Sequence, residues 1–261
     1  MRTWIVPAAA ALTAASLGCA GLLEPARAAG PPAFVAAVLA TKPLAYYRLE
    51  ALDGSSETGP TTYHSAGGVK VGSPGAPIGD PGNSFAALNG QDGWITTTLS
   101  GGIATSATIM AWVDLETLPS KAGHFFYVAG ESQSGNDLDV QFELDDRVKF
   151  YTSAGSHIEY KPDPASLSKQ WHMIVATVGT RSGNRAIYWD GNLVAGDTGG
   201  GKPNKTAAFT IGESSVFTGR WFDGGIDEVA IWNVTLSPHQ VTALWQAAQG
   251  TAPAKLTGGA G

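Results

Sequence analysis

The sequence predicts an all-β protein, a two-sheet antiparallel sandwich or jelly roll closed by a short C-terminal helix, on three observations. From Leu44 onward, short runs rich in Val, Ile, Thr, Trp, Tyr and Phe alternate with Gly, Pro, Asn and Asp, with turn signals roughly every ten residues. Charged residues make up only 15% of the chain while Gly numbers 34 and Trp 8, a mixture suited to strands and tight turns rather than to long solvated helices. No repeat and no composition break interrupts residues 44–248, so one domain accounts for them.

The elements follow in order. Arg2, an apolar alanine-rich run from Trp4 to Leu23, and the small-residue triplet Ala26-Arg27-Ala28 have the layout of a secretory signal peptide spanning 1–28, cleaved after Ala28. Pro7, Gly18 and Gly21 interrupt the run, and no Lys/Arg stop-transfer cluster follows it, which excludes a membrane span there. Cys19, the only cysteine, leaves with the leader; a lipid-bearing role is the minor alternative, because Ser16 stands where the lipoprotein pattern resembled here has a large aliphatic. The exported chain therefore has no disulfide, and its core must hold it together.

Ala33 to Thr41 reads as one or two helical turns stopped by Lys42-Pro43, a lead-in to a domain expected over 33–248. Leu138, Val140, Phe142 and Leu144 alternate with Asp139, Gln141 and Glu143, predicting a strand with one buried and one wet face that turns at Asp145-Asp146. Trp171 to Val178 is apolar at both parities apart from His172 and Thr177, as a central strand is, and Asp190-Gly191-Asn192 marks a hairpin. After Ile226 to Trp232, Ser237 and Pro238 supply the cap and first-turn proline of a helix from His239 to about Ala248. Residues 249–261 are Gly/Ala/Thr-rich and are expected to be disordered.

Several function classes drop out. Removing Arg2, Arg27 and Glu24 leaves 14 basic and 21 acidic side chains, a balance of −7 that does not invite nucleic acid or an anionic membrane. The five histidines show no metal spacing, and no Gly-x-Ser-x-Gly elbow is present. Gly196 to Lys202 approaches a phosphate-binding loop, but Pro203 replaces the required Ser or Thr, so it reads as a flexible loop.

Seven segments in order resemble LamG-like jelly-roll domains of the concanavalin A-like lectin and glucanase fold, as found in secreted bacterial proteins. They are Ala45-Tyr46-Tyr47-Arg48-Leu49-Glu50, Phe85 to Gly90, Ala107 to Val113, Trp171 to Thr177, Ile187 to Gly191, Phe209 to Gly212 and Gly225 to Trp232. The resemblance implies two curved antiparallel sheets whose concave face and rim loops serve glycan or protein ligands, without implying an activity.

It also directs attention to particular residues. Asp227 shares strand parity with Val229 and Ile231, and a carboxylate in that layer needs a cation or hydrogen-bond donors. Family members hold a structural calcium near this strand, with Glu50 and Asp53 placed to complete a site, although the Gly54 to Lys70 loop departs from the family pattern. The alternative is that Asp227 accepts backbone N–H groups. Glucanases of this fold carry Glu-x-Asp-x-Glu on one strand; here Glu143 and Asp145 are followed by Arg147, and the Asp145-Asp146 turn breaks the alignment, so hydrolase activity is disfavoured. Trp112, Trp171 and Trp232 lie in family core motifs. Trp94 and Trp221 sit beside loop signals and are the better sugar-stacking candidates, with Trp189, where the family has a smaller aliphatic, as the third. The expectation is a secreted, monomeric, non-catalytic domain that binds extracellular glycan, with adhesion to a surface protein as the alternative.

Overall fold

Strand β16 (Asp223–Trp232) organises the first of two antiparallel sheets, because β7 (Ser106–Leu115), β5 (Phe85–Asn89) and β1 (Ala45–Tyr47) all pair with it. The computed structural model describes residues 32–100, 106–131, 137–153, 155–179, 183–200 and 208–250; the leader expected over 1–28, Cys19 within it and residues 251–261 lie outside them. Beyond β7 the first sheet continues through β12 (His172–Gly179), β13 (Asn184–Trp189) and β14 (Asn192–Asp197), and beyond β5 it ends at β4 (Lys70–Gly72). The second sheet runs β11 (Ser156–Tyr160), β10 (Val148–Ser153), β9 (Leu138–Phe142), β8 (Phe126–Glu131), β15 (Ala208–Ile211), β6 (Trp94–Ser100), β3 (Thr62–Ala66) and β2 (Asp53–Ser55). The jelly-roll sandwich is as the sequence predicts.

Strand patterning explains the two cores. In β7, Ala107, Ile109, Ala111 and Val113 face the other sheet while Met110 and Trp112 face outward, and both sets are buried. A strand covered on both sides must be apolar at both parities, which is why β7 and β12 read as continuous hydrophobic runs. The inter-sheet core adds Phe126, Val140, Phe142, Phe150 and Phe209 from the second sheet. The second core lies on the outer side of the first sheet, under α1 (Ala33–Ala40) and α4 (Pro238–Ala248). There Phe34 meets Trp112 edge-on at 6.0 Å and Trp245 stacks on it at 5.5 Å. The lead-in helix is thus a packing element, with Phe34, Val35 and Val38 buried.

Local signals set the boundaries. Helix α4 starts in a capping box, Ser237 Oγ accepting from Gln240 N and the Gln240 side chain answering to Ser237 N. The hairpin turn places Asp190 at φ 50° and Gly191 at φ 77°, the two positive values a type I′ turn needs, and a side chain at Gly191 would collide with Trp245 2.6 Å away. No helix among the described residues is long and apolar enough to cross a membrane.

Two strand expectations need correction. Strand β9 ends at Phe142, and Leu144 lies exposed in the turn, because Glu143 N already donates to Arg147 O across it. The parity of Asp227 is also reversed. Asp227 pairs with Trp112 and Ala230 with Met110, so Glu228 and Val229 together oppose one residue, a bulge with Glu228 at φ 52°. Asp227 therefore points to the outer layer with Trp112, while Val229 and Ile231 point into the inter-sheet core.

One buried acid stands apart. Glu131 shares its ladder row with the inward-facing Leu138 and Phe209, is 0% exposed, and has no hydrogen-bond partner at either carboxyl oxygen. Burial pushes its pKa from 4.5 up to about 8. A raised acid leaves stability whole below the unfolded-state pKa and erodes it as pH climbs to the folded one. Glu131→Gln is therefore expected to match the wild-type melting temperature at pH 4 and exceed it increasingly up to pH 8, at about 1.4 kcal/mol for each pH unit crossed. Thermal melts at four pH values check this, and a constant offset between the two proteins would contradict it.

Candidate functional site

Among the described residues no helix packs on the outer face of the second sheet, and a polar row crosses its width. Ladder partners place Asp53, His64, Thr96, Thr210, Gly130, Asp139, Tyr151 and His157 in one transverse row from edge to edge. Gly130, at φ 153°, leaves a gap in its middle that no side chain could fill, since a Cβ would lie 2.3 Å from the Leu138 carbonyl.

A loop then divides this face. Residues 213–221 fold back over the two central strands: Tyr127 N donates to Arg220 O at 2.8 Å, and Thr210 Oγ1 donates to Glu213 O at 2.8 Å. Arg220 spreads over the Phe217 ring at 4.4 Å, and its Nη1 donates to Gln141 Oε1 at 2.6 Å. Gln141 Nε2 donates in turn to Glu143 Oε1 at 2.7 Å, which also accepts from the Tyr151 hydroxyl at 3.1 Å. Lys149 stands 3.7 Å from Glu143 and 6.0 Å over the Tyr151 ring, which faces His157 at 5.0 Å. The face expected to be wet is covered at its centre, with Asp139 and Gln141 each 2% exposed, because Tyr127 and the loop lie against it.

The electrostatics follow from that cover. Burial pushes Glu213 up to about 7, opposed by backbone N–H groups of Arg220 and Gly219 and by the Arg220 charge. Burial, and then the neighbouring Glu143 charge, push the Tyr151 hydroxyl up, so it stays a hydrogen-bond donor at any physiological pH. What remains reachable is a strip of Tyr151, His157, Lys149, Glu143 and Arg220 on one side of the loop, and Trp94 with Thr96 and His64 on the other.

The tryptophan candidates separate here. Trp94 opens β6 half-buried, with Ile95 beside it turned into the core, so it belongs to the outer face. Trp221 is half-buried at the end of the crossing loop, its carbonyl 3.1 Å from the His124 ring. Trp189 is corrected: it is 8% exposed in the inter-sheet core, against His172 at 4.5 Å and edge-on to Phe142, because its strand parity turns it inward. Tyr151 and Arg220, which sequence reasoning passed over, form the polar centre of the strip; the alternation of Lys149 and Tyr151 with inward Val148 and Phe150 is the signal that finds one of them. The glucanase arrangement is absent from these residues, since Glu143 lies past the strand end and Asp145 is paired with Arg147 at 2.8 Å.

Asp227, Glu50 and Asp53 do not fit a calcium site. Asp227 is fully buried and accepts from Ala76 N (2.9 Å), Asn83 Nδ2 (2.7 Å) and Glu228 N (2.9 Å). Glu50 is held by Arg48 at 2.6 Å and accepts from Ser84 N, while Asp53 pairs with His64 on the second sheet. Among the described residues no three His, Cys, Asp or Glu side chains form a metal-holding group. The cation at this centre is Arg48, whose guanidinium also reaches Glu228 at 3.1 Å and Asp80 at 2.9 Å. Burial pushes Glu228 up to about 7 against the pull of Tyr46 and Arg48, and burial with the Glu228 charge raises Asp227 well above the carboxylate range.

Two antiparallel sheets, with helices packed on one and a polar outer face on the other, make a jelly-roll sandwich. The chain belongs to the concanavalin A-like lectin/glucanases superfamily, whose sequence model matches residues 89–242. Among solved structures it is similar to domain 4 of AbnA, a GH43 extracellular arabinanase from Geobacillus stearothermophilus, in complex with arabinotriose. That likeness has a TM-score of 0.60 and 22% identity over 78% of this chain and 98% of that one. The receptor binding domain of botulinum neurotoxin C/D mosaic serotype aligns with a TM-score of 0.63 and 10% identity, over 79% of this chain and 51% of that one. The binding domain of botulinum neurotoxin DC, in complex with rat synaptotagmin II, aligns at 0.55 and 14%, over 74% and 48%. At these identities the likeness is one of fold, and the chain spans about half the length of the toxin domains. No curated protein sequence matches the chain.

With Arg48 as counter-ion, a chelator is expected to leave the unfolding free energy unchanged, whereas Arg48→Ala strands the Glu228 charge and costs about 3–5 kcal/mol. Denaturant titration with and without EDTA checks both, and a chelator-induced drop would restore a metal to the structure.

Proposed function

We propose that this protein is an exported, monomeric, non-catalytic domain that binds a neutral extracellular glycan on the outer face of its second sheet. The observation that carries the reading is the pre-bonded strip from Arg220 through Gln141 and Glu143 to Tyr151, bordered by the Tyr151 and His157 rings. A sugar presents a C–H face that stacks on an aromatic ring and hydroxyls that need both donors and acceptors, which this strip offers side by side. Trp94, across the loop, extends the stacking surface. A similar fold, AbnA domain 4, was solved with arabinotriose, which makes arabino-oligosaccharides the first ligands to try. The leader at 1–28 supports export, and the missing third carboxylate after Asp145 supports a role without hydrolysis.

A surface protein is the second reading, favoured by Val216 and Phe217, which stand 43% and 37% exposed on the crossing loop.

Calorimetric titration with arabinotriose, backed by a glycan array, tests the first reading. Tyr151→Ala is expected to weaken binding at least tenfold and Trp94→Ala several-fold, each with the melting temperature nearly unchanged. An array without a hit, or release of product sugars that Glu143→Gln abolishes, refutes it.

A further inference from the structure

Helices α1 and α4 leave one end of the first sheet's outer face uncovered, and that end carries two adjoining hollows separated by an aromatic ridge. Trp171 lines the larger, about 500 Å³, whose floor is the turn Pro74, Ala76, Pro77 and Ile78. Phe85 lines the smaller, about 230 Å³, together with Ala87, Asp114, Glu116, Asp223 and Gly224. The ridge is the pair itself, Phe85 edge-on to Trp171 at 5.2 Å and 81°. Gly225 makes it feasible: a Cβ there would lie 2.7 Å from the Trp171 ring and 2.9 Å from Phe85, so glycine lets both rings rest on the β16 backbone. Trp171, assigned to the core by its family motif, is half-buried.

The geometry points to a second glycan subsite here, in which consecutive units of a neutral oligosaccharide occupy the two hollows astride the Phe85–Trp171 ridge. The inference takes its ligand class from the proposed function and adds a site on the opposite sheet. Each hollow matches one of the two things a sugar needs. The larger is apolar with an indole wall, suited to a C–H face. The smaller is lined by the carboxylates of Asp114, Glu116 and Asp223, acceptors for hydroxyl groups. Burial, followed by the Glu116 charge, raises the Asp114 pKa against the pull of a backbone N–H bond from Gln170. Three acids on the rim, of which Glu116 alone is ion-paired, to Lys169 at 3.0 Å, exclude uronate or sulfated chains by repulsion. Two sites on opposite sheets make the domain bivalent, so it bridges glycan chains and gains avidity on a polymer.

Titration of the exported chain with arabinohexaose, and with hexagalacturonate as the anionic control, tests this. The expected result is two sites for the neutral chain and none for the anionic one. Trp171→Ala removes one site and leaves that disturbed by Tyr151→Ala. Because Trp171→Ala also loosens packing on Gly225, Ala87→Arg, which plugs the smaller hollow from a half-buried strand position, provides the same test without touching the core. Two sites persisting in Ala87→Arg overturn the inference and leave the second-sheet reading intact. A single site lost in Ala87→Arg but kept in Tyr151→Ala upholds the inference and overturns that reading instead. No binding of arabinohexaose overturns both, and binding of a lysine-rich peptide that Ala87→Arg abolishes overturns the inference alone.

Discussion

Two adjacent carboxylates, Asp227 and Glu228, lie fully buried in the middle strand of the first sheet, and the surrounding structure is arranged to hold them. The bulge that places them there costs one ladder position, and each buried charge would cost several kcal/mol if left alone. Compensation comes from two separate parts of the chain. Strand β1 and its extension send Tyr46 and Arg48 to Glu228; the turn after β4 sends Ala76 N–H and Asn83 to Asp227; Asp80 and Glu50 steady Arg48 from outside. The N-terminal strand, the turn that forms the larger hollow and the central strand are therefore fixed to one another by charge as well as by packing.

That arrangement makes the two sheets unequal. The first is covered on its outer side by helices and by the 74–78 turn, except at the Phe85–Trp171 end, so its strands are apolar on both faces. Among the described residues the second has a crossing loop outside it, so its outward residues are mostly polar, while its inward ones, Glu131 apart, are mostly Phe, Val, Leu and Ile.

Strand periodicity and turn chemistry carry the fold in the sequence. The Asp190-Gly191 turn, the Ser237 cap and the doubly apolar β12 are each local signals with a single physical outcome, and each is realised. The bulge at Glu228 is not legible in the same way. A non-glycine residue at positive φ leaves no mark in the pattern, and a one-residue slip inverts every parity argument after it. Strand parity alone therefore puts Asp227 in the wrong layer, and its partners, Ala76 and Asn83, are more than 140 residues away in sequence. Asp139 and Gln141 mislead for a related reason: alternation says which side a residue faces, but not whether a distant loop closes over that side. Trp189 was judged by comparison with a smaller family residue, and size alone does not say whether a ring faces solvent or core.

The buried polar groups of the second sheet bear on how such a face binds. Association is opposed by the ordering of side chains, at about 0.5–1.5 kcal/mol for each long one immobilised. Here Arg220 is already held between the Phe217 ring and Gln141, and Tyr151 by Glu143, before any ligand arrives. That ordering cost falls on folding instead, where the loop that pins Arg220 also shields Gln141 and Thr210. The same loop that makes the centre of the face inaccessible thus prepares its margin, which is why the reachable strip lies beside the loop rather than over the middle of the sheet.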